Sequence, residues 1–202
     1  MRLLIVKLGS IGDIVHTLPA LAAIREALPH VTISWAVERR AAEILRNNPL
    51  IERLIEVDTK GLRSSSVLSE MLPALREQLK NLRATKFDIA LDFQGLLKSS
   101  VIALASGAPR RYGFERAALR EPASRFLLTN SVEVPLRAHV IEKNLALVSG
   151  ALAIEISRDP QTWQFPIAIS HRHKAEAEAV APRNEYDFAI LNPGGGWMTK
   201  LW

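Results

Sequence analysis

The chain has 202 residues, of which 48% are hydrophobic and 23% are charged, a composition typical of a globular protein with a proper core. It contains no cysteine, which excludes disulfide frameworks and thiolate zinc sites. The net charge of +5 predicts an acidic partner, which would be nucleic acid, an anionic membrane surface, or a phosphorylated or carboxylated substrate.

The first predicted element is a short strand from Leu3 to Val6, whose continuous apolar run is typical of a strand buried on both faces. The run is too short to cross a bilayer, and Gly and Asp follow Lys7 in place of the apolar core of a signal peptide, so we expect the fold to start at Met1. Since a chain without cysteine gives no sign of an oxidising compartment, a cytoplasmic location is expected. An apolar helical period extends from Ile14 to Leu28, and a second strand pattern extends from Val31 to Val37. These elements predict a βαβ unit.

Strand and helix patterns then alternate along the chain. They predict a helix at Ala41 to Asn47, a strand at Leu54 to Val57, a helix at Val67 to Arg83, a strand at Phe87 to Leu91, a helix at Leu97 to Ala105 and a strand at Arg111 to Phe114. This alternation indicates an α/β fold with a Rossmann-like, doubly wound parallel sheet. The basic segment Arg116 to Asn130 is less periodic, and we interpret it as helix and loop.

The last third of the chain suggests a domain boundary. A helix at His139 to Leu152 closes the predicted first domain, at residues 1–156. Residues 157–182 read as a linker and a polar helix, His171 to Ala181. The pattern of residues 183–202 predicts one apolar strand followed by a glycine loop. We therefore expect this segment to be only the beginning of a second domain.

A glycine motif, Gly9-Ser10-Ile11-Gly12-Asp13, follows the first strand, where a doubly wound sheet opens its ligand crevice. Dinucleotide-binding sheets need G-x-G-x-x-G at this point, so the spacing argues against a nicotinamide-dependent oxidoreductase. Asp13 fits a helix cap, and its carboxylate could also take a proton from a hydroxyl nucleophile. His16 could join Ser10 and Asp13 in a hydrolase triad, but the G-x-S-x-G elbow is absent, so we expect a packed structural histidine.

A second polar motif, Asp92 to Ser99, follows the strand that ends at Leu91 and should lie on the same rim as Asp13. Asp92 fits an N-cap, with Gly95 in the turn, at least as well as it fits a catalytic acid. Gln94 could donate a hydrogen bond to a ligand hydroxyl.

Basic residues occur in loops and short segments rather than on one helix face, which suits the binding of carboxylates or phosphates. They are Lys60, Arg63, Arg110, Arg111, Arg116, Arg120 and Arg125. No nucleic-acid-binding motif accompanies them. Near the end of the chain, Gly194 to Gly196 precede Thr199 and Lys200, which predicts a phosphate-cradling loop without the spacing of an NTPase P-loop.

Four segments, in chain order, resemble glycosyltransferase family 9, most closely its lipopolysaccharide heptosyltransferases: MRLLIVKLGSIGDIVHTLPAL, DFQGLLKS, AALREP and LNPGGGWMTKLW. The resemblance covers essentially the whole chain, and the opening segment is its most specific part. It implies a GT-B architecture of two Rossmann-like domains, in which the first binds the acceptor and the second binds most of the nucleotide-sugar. It also implies metal-independent transfer of a heptose from ADP-heptose to the Kdo-lipid A inner core, in peripheral contact with the cytoplasmic face of the inner membrane.

The resemblance also assigns roles to residues of this sequence. Asp13 matches the general base, which deprotonates the acceptor hydroxyl as that hydroxyl displaces the nucleoside diphosphate with inversion. Lys200 matches a lysine that contacts the leaving diphosphate, and Ser10 and Gly12 would shape the loop beside it. Gly194, Gly195 and Thr199 join the predicted donor and diphosphate contacts because of their place in the phosphate-cradling loop. The residues that match acceptor contacts are Lys60, Arg63 and Arg120. We add Gln94 to the predicted acceptor contacts because of its place at the end of the strand before it.

The chain departs from the heptosyltransferase pattern at Gly9, Gly61 and Gly194 to Gly196, where the pattern has more polar or bulkier residues. Another family 9 transferase, such as a type II heptosyltransferase, is therefore an alternative. A non-catalytic acceptor-binding module is a second alternative, because the chain ends early in the predicted second domain.

Overall fold

The computed structural model describes residues 1–57, 80 and 82–180. Strands in this part form one parallel sheet in the order β3-β2-β1-β4-β5-β6, which is the Rossmann order. Their bounds are β1 Arg2–Val6, β2 Thr32–Glu38, β3 Arg53–Val57, β4 Ile89–Asp92, β5 Arg110–Phe114 and β6 Asn130–Val132. The predicted doubly wound α/β fold is confirmed.

Helices between Ile11 and Leu152 cover both faces of this sheet. The α-helices of the described residues are α1 Ile11–Val15, α2 Leu18–Ala27, α3 Leu97–Ala105, α4 Val140–Leu152 and α5 His171–Val180. Single-turn and longer 3-10 segments occupy Arg39–Leu45, Arg116–Ala118, Pro122–Leu127 and Pro160–Thr162. Among residues 1–57, 80 and 82–180, none of the helices combines the length and the apolar character that crossing a membrane requires.

The first predicted helix is divided in two, and Pro19 explains the division. A helix continuing past Val15 would need an N–H at position 19, which proline lacks, and the ring would clash with the Val15 carbonyl. The chain therefore ends α1 at Val15 and begins α2 at Leu18, with Pro19 in its first turn. The Thr17 hydroxyl donates to the Asp13 carbonyl at 2.8 Å and holds the junction.

Two other expectations differ from the structure. The helix predicted from Ala41 is a 3-10 segment, Arg39–Leu45. The segment from Arg116 to Asn130 contains two 3-10 segments and leads into β6, an edge strand that the sequence pattern did not predict. Its three residues include exposed Asn130 and Ser131, so no apolar run marks it.

The core lies on both sides of the sheet because successive side chains of a strand point to opposite faces. Leu3 and Ile5 of β1 pack with α2 and α4, whereas Leu4 and Val6 pack towards α3. All four are fully buried, and each contributes roughly 1.5–3 kcal/mol to stability. Because β1 is buried on both faces, its position in the sheet is fixed. The loops that follow the carboxyl ends of the parallel strands are therefore held together at one edge of the sheet, which we call the rim.

The chain divides into two compact units, Met1–Ala168 and Ile169–Trp202. Within the first unit, Ile154, Ile156 and Trp163 pack against the core. The predicted domain limits at 156 and 182 stay predictions. Most of the helix predicted from Val67, and the glycine loop with the strand before it, lie outside the described residues.

Candidate active site

The candidate site lies where β1 and β4 end side by side. Val6 of β1 is in register with Asp92 of β4, so the segments that follow both strands leave the sheet at one edge. The chain order reverses its direction across the sheet between these strands, and open α/β sheets bind ligands at such a switch point. The two polar motifs of the sequence are therefore brought together, as expected.

The glycine motif turns the chain from β1 into α1. Ser10 is the N-cap of α1, and its N–H donates to Oδ2 of Asp13 at 3.4 Å. Asp13 thus assists the cap from the first turn, while its side chain remains 22% exposed at the rim. A Cβ built on Gly12 would meet no atom within 4 Å, so the backbone here borders open space. The arrangement leaves room for a ligand beside a carboxylate.

Arg120 stands opposite Asp13. Its Nη2 lies 4.0 Å from Oδ1 of Asp13, and its side chain is 63% exposed. The neighbouring Glu121 fixes its place, because the Glu121 N–H donates to the Gly95 carbonyl at 3.1 Å. The Glu121 carboxylate also accepts from the Leu97 N–H at 2.7 Å. The loop after β4 and the first turn of α3 therefore hold this arginine at the rim.

Asp92 is a structural residue of the β4 turn. It is fully buried, and its Oδ1 accepts from the N–H groups of Gln94 and Gly95 at 2.9 and 3.2 Å. Its Oδ2 accepts from the hydroxyls of Ser99 and Ser100 at 3.0 and 2.7 Å. Burial raises the pKa of the Asp92 carboxyl group, and these hydrogen bonds oppose the shift. The predicted N-cap role is wrong, since Leu96 is the N-cap of α3 and Asp92 instead stabilises the turn before it.

Two hydrogen bonds tie the β1 and β4 segments to each other. The Leu8 N–H donates to Oε1 of Gln94 at 3.3 Å, so the amide nitrogen is the atom through which Gln94 could meet a ligand. The Lys7 ammonium donates to the Phe93 carbonyl at 2.9 Å. Lys7 is only 3% exposed. Burial lowers the pKa of Lys7, and the Asp13 carboxylate opposes that shift. The buried Lys7 side chain is thus near enough to the Asp13 carboxylate to interact with it electrostatically.

The carboxylate of Glu38, at the end of β2, lies beside the glycine motif. Glu38 is 5% exposed and accepts from Lys98 Nζ and Arg40 Nε, both at 2.7 Å. A Cβ on Gly9 would lie 3.5 Å from Oε2 of Glu38. Lys98 belongs to α3, so this network joins β2 to the helix that follows β4, directly beside Gly9.

His16 packs in the manner expected for a structural histidine. Its ring meets that of His139 edge to face, with centroids 5.3 Å apart, and His139 stacks on Trp163 at 6.2 Å. The Asn144 amide donates to the His16 carbonyl at 3.0 Å and to the Thr17 hydroxyl at 3.2 Å. These contacts tie α4 to the turn between α1 and α2.

The described residues contain part of the predicted site. The predicted residues placed at this rim are Ser10, Gly12, Asp13, Gln94 and Arg120. Those outside the described residues are Lys60, Arg63, Gly194, Gly195, Thr199 and Lys200. Arg111 is engaged elsewhere, because its guanidinium donates to the carbonyls of Leu127 and Ala108.

Sequence reasoning missed the charged residues behind the rim, Lys7, Glu38 and Lys98. One signal was present for the first two, because each is a charged side chain at the end of an apolar strand. Their partners come from segments 60 to 86 residues away in the chain. Only the strand order shows that these segments meet.

Comparison with known proteins gives concordant results. The family model described as glycosyltransferase family 9 (heptosyltransferase) matches residues 75–202. Lipopolysaccharide heptosyltransferase 1 of Pseudomonas aeruginosa is 29% identical over 202 residues, which is 100% of this chain and 54% of that protein. The protein of the same name from Escherichia coli K12 is 31% identical over 165 residues, or 80% of this chain and 50% of that protein. The chain therefore spans about half the length of the curated relatives it matches.

A solved structure agrees with these matches. The structure of E. coli heptosyltransferase WaaC with ADP-2-deoxy-2-fluoro heptose superposes with a TM-score of 0.68 at 30% identity. The match covers 82% of this chain and 51% of that one. It shows the same kind of domain, with a sequence likeness that extends through most of the described residues.

Proposed function

The chain belongs to glycosyltransferase family 9, and on this basis we propose that the enzyme of which it forms part transfers a heptose from ADP-heptose to the Kdo-lipid A inner core of lipopolysaccharide. The relatives named above are heptosyltransferases 1, and the WaaC structure contains an ADP-heptose analogue. Both favour this activity over that of a type II heptosyltransferase. The reaction would take place at the cytoplasmic face of the inner membrane, where the acceptor is anchored.

The observation that carries the proposal is the position of Asp13. Its carboxylate is partly exposed, at the switch point of the sheet, beside open space at Gly12 and 4.0 Å from Arg120. A general base must reach the proton that it removes, and a carboxylate on this rim could reach an acceptor hydroxyl in the crevice. Arg120 supplies a cation that suits the carboxylates and phosphates of the acceptor.

The proposed reaction is a single displacement. The acceptor hydroxyl oxygen attacks the anomeric carbon of the heptose, and the bond from that carbon to the diphosphate oxygen breaks. Asp13 takes the hydroxyl proton, and ADP leaves with the bonding electron pair, so the anomeric centre inverts. Cationic and N–H groups stabilise the charge of the leaving diphosphate, a task for which we propose Lys200 and the glycine loop in place of a metal ion.

Substitution Asp13→Asn in the full-length enzyme tests the base. The asparagine oxygen can still accept from the Ser10 N–H and keep the cap, but the amide cannot take a proton. We expect kcat to fall by roughly 10²- to 10⁴-fold with little change in the KM of either substrate. The assay is transfer from ADP-heptose to Kdo-lipid A in the presence of EDTA, with Glu26→Gln on the exposed face of α2 as the matched carboxylate control.

The base, the stereochemistry, the substrates and the independence from metal can each be contradicted by a separate result. Near-wild-type turnover of Asp13→Asn would remove Asp13 from the role of base. Retention of the anomeric configuration in the product, read from NMR couplings, would exclude direct displacement. Absence of transfer by the wild-type enzyme would exclude this donor and acceptor pair, and loss of transfer in EDTA would show that a metal is required.

A further inference from the structure

An apolar stripe runs along the outer face of α3. Leu97, Val101 and Leu104 are 43%, 48% and 43% exposed, although all three are large hydrophobic residues. Their spacing of four and then three residues places them on one face of the helix. The opposite face is buried through Ser99, Ser100, Ile102 and Ala103. The helix therefore exposes large apolar side chains on its outer side, although its inner side already contributes Ile102 and Ala103 to the core.

A more exposed aromatic residue lies on the neighbouring segment. Phe126 is 88% exposed and belongs to the 3-10 segment Pro122–Leu127, which packs beside α3. The Glu121 carboxylate, just before this segment, accepts from the Leu97 N–H at 2.7 Å. The two elements are thus joined at the first turn of α3. We call Leu97, Val101, Leu104 and Phe126 together the α3 face.

The chain beside this face is basic. Residues 110–126 contain five arginines and two glutamates. Arg116 is exposed and Arg120 is 63% exposed, whereas Glu121 is engaged with the Leu97 N–H. Exposed apolar side chains flanked by cations match the two parts of an anionic bilayer, its acyl boundary and its headgroups.

We propose that the α3 face docks on an anionic lipid bilayer. This inference rests on the proposed function, since an acceptor anchored in a bilayer requires the site to work at its surface. The geometry suits that requirement, because α3 begins immediately after the β4 turn, on the rim where Asp13 and Arg120 lie. Docking of a second copy is disfavoured, because a symmetric contact would bring the same arginines together.

The test uses the full-length enzyme and the double variant Val101→Ser with Phe126→Ser. Both side chains are exposed, so the fold should be unaffected. We expect the wild-type enzyme to sediment with vesicles of phosphatidylglycerol and phosphatidylethanolamine, and the variant to bind roughly ten- to a hundredfold more weakly. Phe165→Ser, a phenylalanine that is 42% exposed elsewhere, is the matched control and should bind like the wild type.

The lipid charge and the salt concentration distinguish docking on an anionic bilayer from non-specific adsorption to any vesicle. Binding should weaken on vesicles of phosphatidylcholine alone and should fall with ionic strength, because surface charges are screened. Equal binding of the double variant and the wild type would overturn the proposal. So would equal binding to neutral vesicles, or a change in oligomeric state caused by the double variant, which would show that a second copy covers the face.

A transfer assay distinguishes failure of docking from failure of the proposed function. The double variant should lose transfer to an acceptor embedded in vesicles and keep wild-type kcat/KM for a delipidated, water-soluble acceptor. Equal losses on both acceptors would overturn docking as the cause. Absence of transfer by the wild type to either acceptor would refute the proposed function, while the vesicle binding would still report on the α3 face.

Discussion

Asp92 is a buried carboxylate that shapes the rim without reaching it. Because burial raises its pKa, the folded chain binds the Asp92 proton more tightly than the unfolded chain does. Between the unfolded pKa, about 3.9, and the raised folded pKa, stability should therefore fall as pH rises. Above the folded pKa the full cost of burying the charged carboxylate is present, and this cost is relieved as the pH falls towards the unfolded pKa.

Substitution Asp92→Asn removes this titration. The amide oxygen can still accept from the N–H groups of Gln94 and Gly95, and the amide nitrogen can donate to the serine hydroxyl oxygens. We expect the variant to gain stability relative to the wild type between about pH 4 and about pH 7, by about 1.4 kcal/mol for each unit of pKa shift removed. Urea unfolding at both pH values measures this difference.

The exposed Asp159 provides the control for that experiment, since Asp159→Asn changes a carboxylate outside the core. Urea unfolding of this variant at the same two pH values gives the effect of removing one carboxylate that lies outside the core. A relative stability of Asp92→Asn that stays constant or falls between about pH 4 and about pH 7 would contradict the assigned shift.

Single residues also show where sequence reasoning reaches its limit. The meeting of Asp13 with Gln94 could be predicted, because parallel strands end at one edge of a sheet. Residue type alone could not distinguish Arg120 from its neighbours, because Arg116 and Arg125 are also arginines and lie in the same segment. In the structure, the hydrogen bonds of Glu121 hold the neighbouring Arg120 near the Asp13 carboxylate.

The contact of α4 with β6 depends on a glycine. A Cβ built on Gly150 would lie 2.5 Å from Cγ1 and 3.3 Å from Cγ2 of Val132. Alanine normally favours a helix over glycine by about 1 kcal/mol. Here the overlap should outweigh that gain, because valine is stiff at χ1 and cannot turn both methyl groups away. The missing side chain lets the helix approach the edge strand.

Gly150→Ala is therefore expected to destabilise the chain by about 1–3 kcal/mol. Removing the obstacle with Val132→Ala should restore the benefit of alanine in the helix, so the double variant should be more stable than the sum of the single effects predicts. A double-mutant cycle by urea unfolding measures this coupling. Strict additivity, or a stabilising Gly150→Ala, would show that the helix moves to accept the methyl group.

At the scale of elements, the predicted features were those with a continuous local signal. β1 and β2 carry long apolar runs, and α4 carries a clear helical period. The break before α2 was predictable in principle from Pro19, because a helix interior excludes proline. β6 carried no such signal, since it exists through pairing of Asn130 to Val132 with Tyr112 to Phe114.

The unit Met1–Ala168 contains the described sheet and both of its apolar clusters. We expect a chain ending at Ala168 to unfold cooperatively in urea, with the midpoint of the 202-residue chain. A chain ending at Leu152 should have a lower midpoint, because it lacks Ile154, Ile156 and Trp163, which pack on the core. Loss of a cooperative transition on cutting after Ala168 would show that later residues are needed for folding.

The central position of β1 has a consequence for synthesis on the ribosome. β1 leaves the exit tunnel before the other strands of the described sheet, yet its neighbours in that sheet are β2 and β4. The Lys7 ammonium donates to a carbonyl 86 residues later in the chain. At about 5–20 residues per second, several seconds separate the emergence of β2 from that of β4. During this interval one long edge of the apolar strand Leu3 to Val6 is unpaired. Until residue 92 has emerged, this unpaired edge can pair with another chain, and a chaperone that covers the edge would act during this interval.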